Sequence, residues 1–273
     1  MTWGKIPVCL AVFALACHTR YRLIVAANRD EYHDRPTSPA AFWKDRPRIL
    51  AGRDLLCGGT WLGITTDGRL AAVTNFRDPA HDRDTSRFSR GTLPADYLAE
   101  PVPPQAYLET LDSKRDEYNG FNLVVADGKQ LWYYSNRGKN GPQRVMPGIH
   151  GLSNHLLDTP WPKVATAKDS LEHIIQDDLV SPEALLELLS DTTIFPDHLL
   201  PDTGVGRERE RMLSPRFIVS GNYGTRSSTV ILMERDGGTR FTERSYAADR
   251  RVIQTVEVNL PPPEYGMNRG AGR

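Results

Sequence analysis

The feature that constrains the fold most is an apolar hairpin pattern that leads into a charged tetrad. Residues 9–16 form an alternating apolar segment, and residues 21–27 form a second one rich in Leu, Ile and Val, with a polar link between them. Two such runs around a short polar link predict a buried β-hairpin. The tetrad Asn28-Arg29-Asp30-Glu31 follows directly. A polar edge after an apolar strand is typical of the place where a scaffold ends and a functional site begins.

The composition excludes several classes of partner. The chain has 273 residues, and 34 Lys and Arg balance 34 Asp and Glu, so its net charge is zero. Without net charge or a long block of like charge, we expect no nucleic-acid partner and no stable membrane insertion. The three cysteines, Cys9, Cys17 and Cys57, include no CxxC pair. They predict reduced thiols in the cytoplasm, and with no metal spacing among the histidines, no cofactor is expected.

The rest of the chain alternates between hairpin and helix patterns, which predicts one α+β domain over residues 9–260. Hairpin turns are predicted at Asp67-Gly68 and Asp127-Gly128. Apolar residues at helical spacing predict helices at 92–100, 104–117, 162–176 and 182–189. Strand patterns return at 217–220, 228–234, 240–246 and 252–258.

Three stretches carry weaker signals. Residues 191–212 are irregular and polar, and two interpretations stay open, a lid over a pocket and a solvated loop. Within them, residues 207–211 are interpreted as a solvated charge run. Gly58-Gly59 is expected to serve backbone geometry rather than phosphate binding. The proline- and glycine-rich residues 261–273 are predicted to be disordered.

The N-terminal segment also has the outline of a short secretory or lipoprotein signal, with Lys5 before the apolar run and Cys17 after it. The basic region is a single lysine, and the run is too short to span a bilayer. Cleavage before Cys17 would also remove the first predicted strand and leave the second one unpaired. The hairpin interpretation is therefore preferred.

A set of short motifs occurs in a fixed order along nearly the whole chain. After the tetrad come Arg35-Pro36-Thr37, Phe42-Trp43, Ala51-Gly52-Arg53-Asp54, Gly58-Gly59-Thr60-Trp61-Leu62-Gly63, Thr74-Asn75-Phe76-Arg77, Gly151-Leu152-Ser153-Asn154, Pro201-Asp202-Thr203-Gly204-Val205-Gly206 and Tyr223-Gly224-Thr225-Arg226-Ser227-Ser228-Thr229. Together the motifs resemble the NRDE family, also called the transport and Golgi organisation 2 family. The resemblance implies an N-terminal nucleophile (Ntn) hydrolase fold, a four-layer αββα sandwich of two antiparallel sheets with a cysteine at the start of the first strand.

The resemblance makes Cys9 the candidate nucleophile. In related cysteine Ntn-hydrolases an Arg and an Asp from the second strand flank the nucleophile, which implies Arg29 and Asp30 here. A cation beside a thiol favours the thiolate, and a carboxylate beside the α-amine positions that amine. On this basis Cys9 is expected to be the most reactive of the three thiols.

Asn75 is the candidate oxyanion donor, because it ends a predicted strand and an amide there can donate to a tetrahedral intermediate. An amide cap on a turn is the alternative interpretation of this residue. The predicted substrate-binding residues are Asn28, Glu31, Trp61, Asn154 and Arg226. Among them Asn154 is a second amide of the same kind, and Arg226 is a candidate partner of substrate or thiolate.

Family members that resemble this chain begin Met-Cys, whereas residues 1–8 precede Cys9 here. An Ntn-hydrolase uses the α-amine of its N-terminal nucleophile as a general base, with an ordinary pKa of about 7.7 to 8.0. An internal Cys9 lacks that base. Three explanations stay open, namely autocatalytic removal of residues 1–8, a protein that is not a hydrolase, and a start assigned too far upstream. The last is preferred, because GUG, a valine codon, is an alternative bacterial initiator and a start at Val8 would give Met-Cys.

The resemblance predicts a cysteine Ntn amidohydrolase that acts on a small non-peptide amide. The alternative is a non-catalytic carrier of haem or acyl-lipid ligands on the same fold, because members of the family have been tied to haem trafficking and acyl-lipid handling. No CxxCH motif or obvious pair of axial ligands supports haem attachment. The expected partner is a small-molecule ligand, either an amide, an acyl-lipid or haem. A role in Golgi organisation is implied only by the family name.

Overall fold

Two antiparallel sheets face each other, and helices cover the outer face of each. The computed structural model describes residues 8–81 and 87–263. The strands are β1 (Val8–Leu15), β2 (Tyr21–Tyr32), β3 (Thr37–Phe42), β4 (Ile49–Asp54), β5 (Leu62–Thr65), β6 (Leu70–Asn75), β7 (Phe121–Ala126), β8 (Leu131–Ser135), β9 (Gln143–Arg144), β10 (Gly148–Leu152), β11 (Val219–Ser220), β12 (Tyr223–Glu234), β13 (Thr239–Tyr246) and β14 (Val252–Leu260). The helices are α1 (Thr92–Ala99), α2 (Pro104–Asp112), α3 (Pro162–Gln176), α4 (Pro182–Leu189) and α5 (Arg207–Met212), with 3₁₀ turns at Arg115–Glu117 and Asp197–Leu199.

The sheets differ in how the chain builds them. One has the order β10-β1-β2-β12-β13-β14, with β11 paired to β12. The other has the order β3-β4-β5-β6-β7-β8-β9, so each of its strands pairs with its neighbour in sequence. In the first sheet the N-terminal hairpin pairs instead with the distant strand β12. This pairing brings the tetrad motif beside the Tyr223–Thr229 motif.

Successive side chains of β1 and β2 point to opposite faces of the sheet, so alternate residues enter two different core layers. Phe13 and Val25 belong to the core between the two sheets. Leu10, Val12 and Ile24 instead pack against helices α3 and α4. Helices α1 and α2 cover the outer face of the second sheet. The predicted αββα sandwich is confirmed, and burial on both faces explains why β1 and residues 23–27 of β2 are apolar.

Several elements agree with the sequence predictions. Helices α3 and α4 have the predicted bounds, and Ser181 caps α4 by accepting a hydrogen bond from the Ala184 N–H at 3.2 Å. Gly68 and Gly128 have φ angles of 82° and 87°, the left-handed region that Asp-Gly hairpin turns require. The predicted second helix is shorter than expected, because α2 ends at Asp112 and only a 3₁₀ turn follows.

Other elements correct those predictions. Strand β2 does not end at Ala27 but continues through the tetrad to Tyr32, because β12 pairs with it along this length. Strands β3, β4, β9 and β10 were not predicted. Pro39 interrupts the pattern of β3, β4 has a polar end, and β10 contains two glycines. The segment 191–212 contains α5, and the solvated charge run predicted at 207–211 is wrong at Glu210, which is buried.

The predictions for the two ends of the chain fall mainly outside the described ranges. Residues 1–7 of the N-terminal extension and residues 264–273 of the C-terminal tail are not among the described residues. Val8, the last residue of the extension, is the first residue of β1 and pairs with Asp30. In the parts of the chain that the structure describes, no helix has the length and apolar character needed to cross a membrane.

Candidate active site

A cleft of about 570 Å³ opens at one end of the two sheets. Its lining combines the start of β1 with the ends of β2, β4, β6 and β13 and with residues 87–91. Cys9 and Arg29 are buried parts of this lining, whereas Cys57 and Phe88 are exposed parts. The cleft therefore reaches from solvent to the N-terminal end of the first strand.

Cys9 and Arg29 lie directly opposite each other in the β1–β2 pair. Both have the strand parity of Phe13 and Val25, so their side chains point between the sheets. Arg29 is 8% exposed, and its Nη2 lies 3.7 Å from Glu31 Oε2. Arg29 Nη1 is buried and has no hydrogen-bond partner among the described residues. The prediction that Arg29 flanks Cys9 agrees with this geometry.

Asp30 lies on the opposite face of β2, towards the helices. Its Oδ1 accepts a hydrogen bond from Thr225 Oγ1 at 2.6 Å, whereas Oδ2 is buried without a partner among the described residues. Asp30 also pairs with Val8 across the strands, so the peptide bond that precedes Cys9 runs beside it. The Asp30 charge raises the pKa of the Cys9 thiol, whereas its backbone N–H lowers it. Asp30 therefore lies close to the backbone that precedes Cys9 and influences the thiol.

Lys163, at the start of α3, supplies the positive charge near Asp30. Burial raises the pKa of the Asp30 carboxyl above its ordinary range, and the Lys163 charge is the main effect that opposes this rise. Burial likewise lowers the pKa of the Lys163 ammonium, and Asp30 opposes that change. Lys163 Nζ donates to the Leu213 carbonyl at 3.0 Å. Sequence reasoning missed this residue, although a lysine in the first turn of a helix is electrostatically unfavourable and could have indicated a special role.

A second buried charge pair lies close to Lys163. Arg77 Nη1 donates to Glu210 Oε2 at 2.6 Å, and both side chains are almost fully buried. Glu210 Oε1 accepts hydrogen bonds from the backbone N–H and the hydroxyl of Thr203. The Arg77 guanidinium also lies 4.8 Å from the centre of a Trp161 ring. This pair ties the Pro201–Gly206 motif to the end of β6.

The two candidate amides have different positions. Asn75 lines the cleft, whereas Asn154 is fully buried and lies outside its lining. Asn154 Nδ2 donates to the Asn75 carbonyl at 2.9 Å, and Ser153 Oγ donates to the Cys9 carbonyl at 2.8 Å. The Gly151–Asn154 motif therefore holds the backbone at both Cys9 and Asn75.

The other predicted binding residues also divide between the cleft and the protein interior. Glu31, Trp61 and Arg226 line the cleft. Asn28 is fully buried on the helix side, where Nδ2 donates to the carbonyls of Leu189 and Arg216 at 3.0 and 2.7 Å. Asn28 therefore holds backbone on the helix side of the sheet and is not part of the cleft lining.

Arg226 occupies a β-bulge. Thr225 pairs with Asp30 and Ser227 pairs with Arg29, so Arg226 is the extra residue between two regular pairs. A bulge redirects the side chain of its extra residue and often occurs next to an active site. Arg226 Nη1 donates to the Tyr32 carbonyl at 2.7 Å, which orients its guanidinium along the cleft wall.

Glu243 is a further lining residue that sequence reasoning missed. It is 4% exposed, and its Oε1 accepts a hydrogen bond from the Ala40 N–H at 2.7 Å. Burial raises the pKa of its carboxyl. Strand alternation from Phe241, which lies in the inter-sheet core, would have placed Glu243 on the same inward face.

The glycine pair at 58–59 has the backbone role expected of it. Gly58 has a φ angle of 76°, and a Cβ on Gly59 would lie 2.2 Å from the Gly91 carbonyl oxygen. Only glycine allows this close approach, which packs the 58–60 segment against the loop that lines the cleft. Among the described residues, no cluster of His, Cys, Asp and Glu could hold a metal ion.

The structure changes the expected order of thiol reactivity for a chain that retains Val8. Burial and the Asp30 charge raise the pKa of the Cys9 thiol to about 12, and the Arg29 charge only partly opposes this rise. Cys57 is exposed at the cleft mouth. We therefore expect limited alkylation of this chain at pH 7 with iodoacetamide, followed by peptide mapping, to label Cys57 well before Cys9. Preferential labelling of Cys9 would contradict this order.

The comparisons with known proteins agree with this architecture. A family model described as "Transport and Golgi organisation 2" matches residues 8–248. The chain is 40% identical over 241 residues to the Transport and Golgi organization protein 2 homolog of Bos taurus, covering 82% of this chain and 87% of that protein. It is 40% identical to the Homo sapiens homolog with the same coverage. The Drosophila melanogaster protein is 26% identical, covering 82% of this chain and 86% of that protein.

Two solved structures share the fold at low sequence identity. A Caenorhabditis elegans N-acylethanolamine-hydrolyzing acid amidase ortholog has a TM-score of 0.50 and 10% identity, covering 82% of this chain and 92% of its own. A mutant of conjugated bile acid hydrolase from Clostridium perfringens has a TM-score of 0.50 and 10% identity, covering 93% of this chain and 92% of its own. With the family model and the relatives, these findings show that the chain belongs to the Transport and Golgi organisation 2 family and has an Ntn-hydrolase-like fold.

Proposed function

We propose that this protein is a cysteine Ntn-hydrolase that cleaves the amide bond of a small non-peptide ligand. The observation that carries the proposal is the position of Cys9, opposite Arg29 at the buried end of the cleft and directly after the peptide bond that runs beside the buried residue Asp30. The two solved proteins that share the fold are an amidase and a hydrolase, which supports the reaction class, whereas the family name leaves the activity open.

The proposal requires that the mature chain begin at Cys9. With Val8 attached, burial keeps the thiol protonated, because its pKa is raised to about 12. An α-amine at Cys9 would replace the Val8–Cys9 peptide bond, which runs beside Asp30. The Asp30 Oδ2 atom, buried without a partner among the described residues, supports this placement, because a buried carboxylate oxygen normally has a donor.

The reaction would follow the order expected of an N-terminal nucleophile. The α-amine takes the thiol proton, and the sulfur forms a bond to the amide carbon. Asn75 and backbone N–H groups stabilise the oxyanion, while Asn154 positions Asn75. The carbon–nitrogen bond then breaks, and the leaving nitrogen takes the proton from the α-amine. Water hydrolyses the thioester, which releases the acid and restores Cys9.

If the mature protein retains Val8, a second function is favoured, in which the same cleft carries an acyl-lipid or haem. The observation behind it is the neutral, buried Cys9 thiol, which leaves the cleft able to bind a ligand without chemistry. We also propose a cytoplasmic location, supported by the three cysteines, which are all free thiols. We further propose that residues 9–260 act as one domain.

The start of the mature chain can be measured directly. We expect protein purified from its native gene to have the intact mass of a chain that begins at Cys9, and to hydrolyse acyl amides in that form. The matched control is protein produced with Val8 retained, which we expect to be inactive because it lacks the α-amine base. Active protein whose mass includes residues 1–8 would contradict both the start site and the amine mechanism.

A further inference from the structure

Arg226 and Arg29 form a pair of neighbouring guanidinium groups at the cleft wall. The β-bulge places Arg226 between the residues that pair with Asp30 and Arg29, so the two arginines are adjacent across the strands. Both line the cleft. Burial lowers the pKa of Arg226, and the Arg29 charge lowers it further, whereas Glu31 and Asp34 act in the opposite direction. Two like charges this close are unfavourable unless an anion separates them.

The carboxylates around this pair are already occupied. Glu31 Oε2 lies 3.7 Å from Arg29 and 3.6 Å from Arg35, and Glu31 Oε1 accepts the Tyr32 N–H. Glu243 accepts the Ala40 N–H. Arg226 bonds to backbone carbonyls, and no ion pair within 4.0 Å is found for it among the described residues. Arg29 Nη1 has no partner in that part of the chain.

The charge of the whole cleft has the same sign as this pair. Six arginines line it against four carboxylates. One of the four, Asp30, directs its side chain to the other face of β2. The remaining wall is partly apolar, with Trp61 half-buried and with Phe88 and Ile253 exposed. The cleft therefore fits a ligand with an apolar part and one negative group.

We propose that Arg226 and Arg29 bind an anionic group of the ligand, a carboxylate or a phosphate-like oxyanion, next to the Cys9 thiol. Guanidinium groups suit these anions because their planar donors match two oxygens at once. The proposal rests on the proposed function in that it names the substrate class of the same cleft. The hydrolase would then act on acyl amides whose amine half carries the charge.

Binding to the Cys9→Ala protein tests this proposal without hydrolysis of the probe. The probes are N-decanoylglycine, its uncharged terminal carboxamide, and N-decanoylaminomethylphosphonate. By titration calorimetry at pH 7, we expect both anions to bind at least about tenfold more tightly than the carboxamide, as charge-assisted hydrogen bonds imply. The stronger of the two anions identifies the natural group as carboxylate or phosphate.

The Arg226→Gln substitution should weaken binding of the anionic probes by about 10- to 100-fold and change carboxamide binding by less than about twofold. Arg226→Lys should restore part of the preference, which guards against a folding defect. The matched control is Arg244→Gln, an arginine of the neighbouring strand that pairs with Glu183. It should leave all three affinities unchanged.

The proposal is overturned if neither anion binds more tightly than the carboxamide, or if Arg226→Gln does not reduce the preference for the anions. Turnover is measured separately, with wild-type protein that begins at Cys9. An anion preference without turnover would reject the hydrolase and keep the anion site. Turnover of neutral amides without any anion preference would reject the anion site and keep the hydrolase.

Discussion

Replacing Cys9 by alanine, in protein whose first residue is residue 9, is expected to lower amide turnover by about four to six orders of magnitude, as loss of a catalytic nucleophile does elsewhere. The variant retains the α-amine, Arg29 and Asp30, so only the attacking sulfur is lost. Ligand affinity should change little, because Cys9 contributes a small, buried part of the cleft lining. Release of glycine from N-decanoylglycine measures turnover, and calorimetry with the same compound measures binding.

Cys17→Ala is the matched control, because Cys17 lies after the far end of β1 and is not part of the cleft lining. It should keep full turnover. A Cys9→Ala protein that still hydrolyses the amide would reject Cys9 as the nucleophile. If the wild-type protein with a verified N-terminal Cys9 shows no turnover on any amide but binds haem or acyl-CoA tightly, the carrier function replaces the hydrolase.

The fold was largely predictable from local patterns and motif resemblance. The apolar segments 9–16 and 21–27 predicted the hairpin, and the Asp-Gly turns predicted two more. The tetrad was placed beyond the strand, because polar residues usually end an apolar strand pattern. The tetrad lies within β2 instead, because β12 pairs with β2 as far as Tyr32. Each polar side chain of the tetrad is accommodated either in the cleft or against the helix layer.

The candidate site was only partly predictable, because much of it depends on contacts between distant residues. Cys9 opposite Arg29 follows from hairpin register. The position of Lys163 near Asp30 depends on how helix α3 packs on the sheet. Glu210 can be buried because it pairs with Arg77, which lies more than a hundred residues earlier in the chain. In a charged stretch such as 207–211, no local pattern indicates which residue is buried.

The buried Arg77–Glu210 pair gives the largest expected effect on stability. Arg77→Met should lower the free energy of unfolding by about 3–5 kcal/mol, because it leaves the Glu210 carboxylate buried without its cation. Glu210→Leu should have a similar effect, since it leaves Arg77 unpaired and removes the acceptor of two Thr203 hydrogen bonds. Equilibrium unfolding in urea measures both changes.

The double variant Arg77→Met/Glu210→Leu separates the charge effect from lost packing. Removing both charges together should cost less than either single change, because no uncompensated buried charge remains. Arg211→Gln is the matched control on the same helix. Arg211 pairs with Asp197 at the surface, where solvent screens the interaction, so no measurable change is expected. If the two single effects simply add in the double variant, the pair does not act as a coupled buried unit. The Pro201–Gly206 motif would then have to be held in place by other contacts.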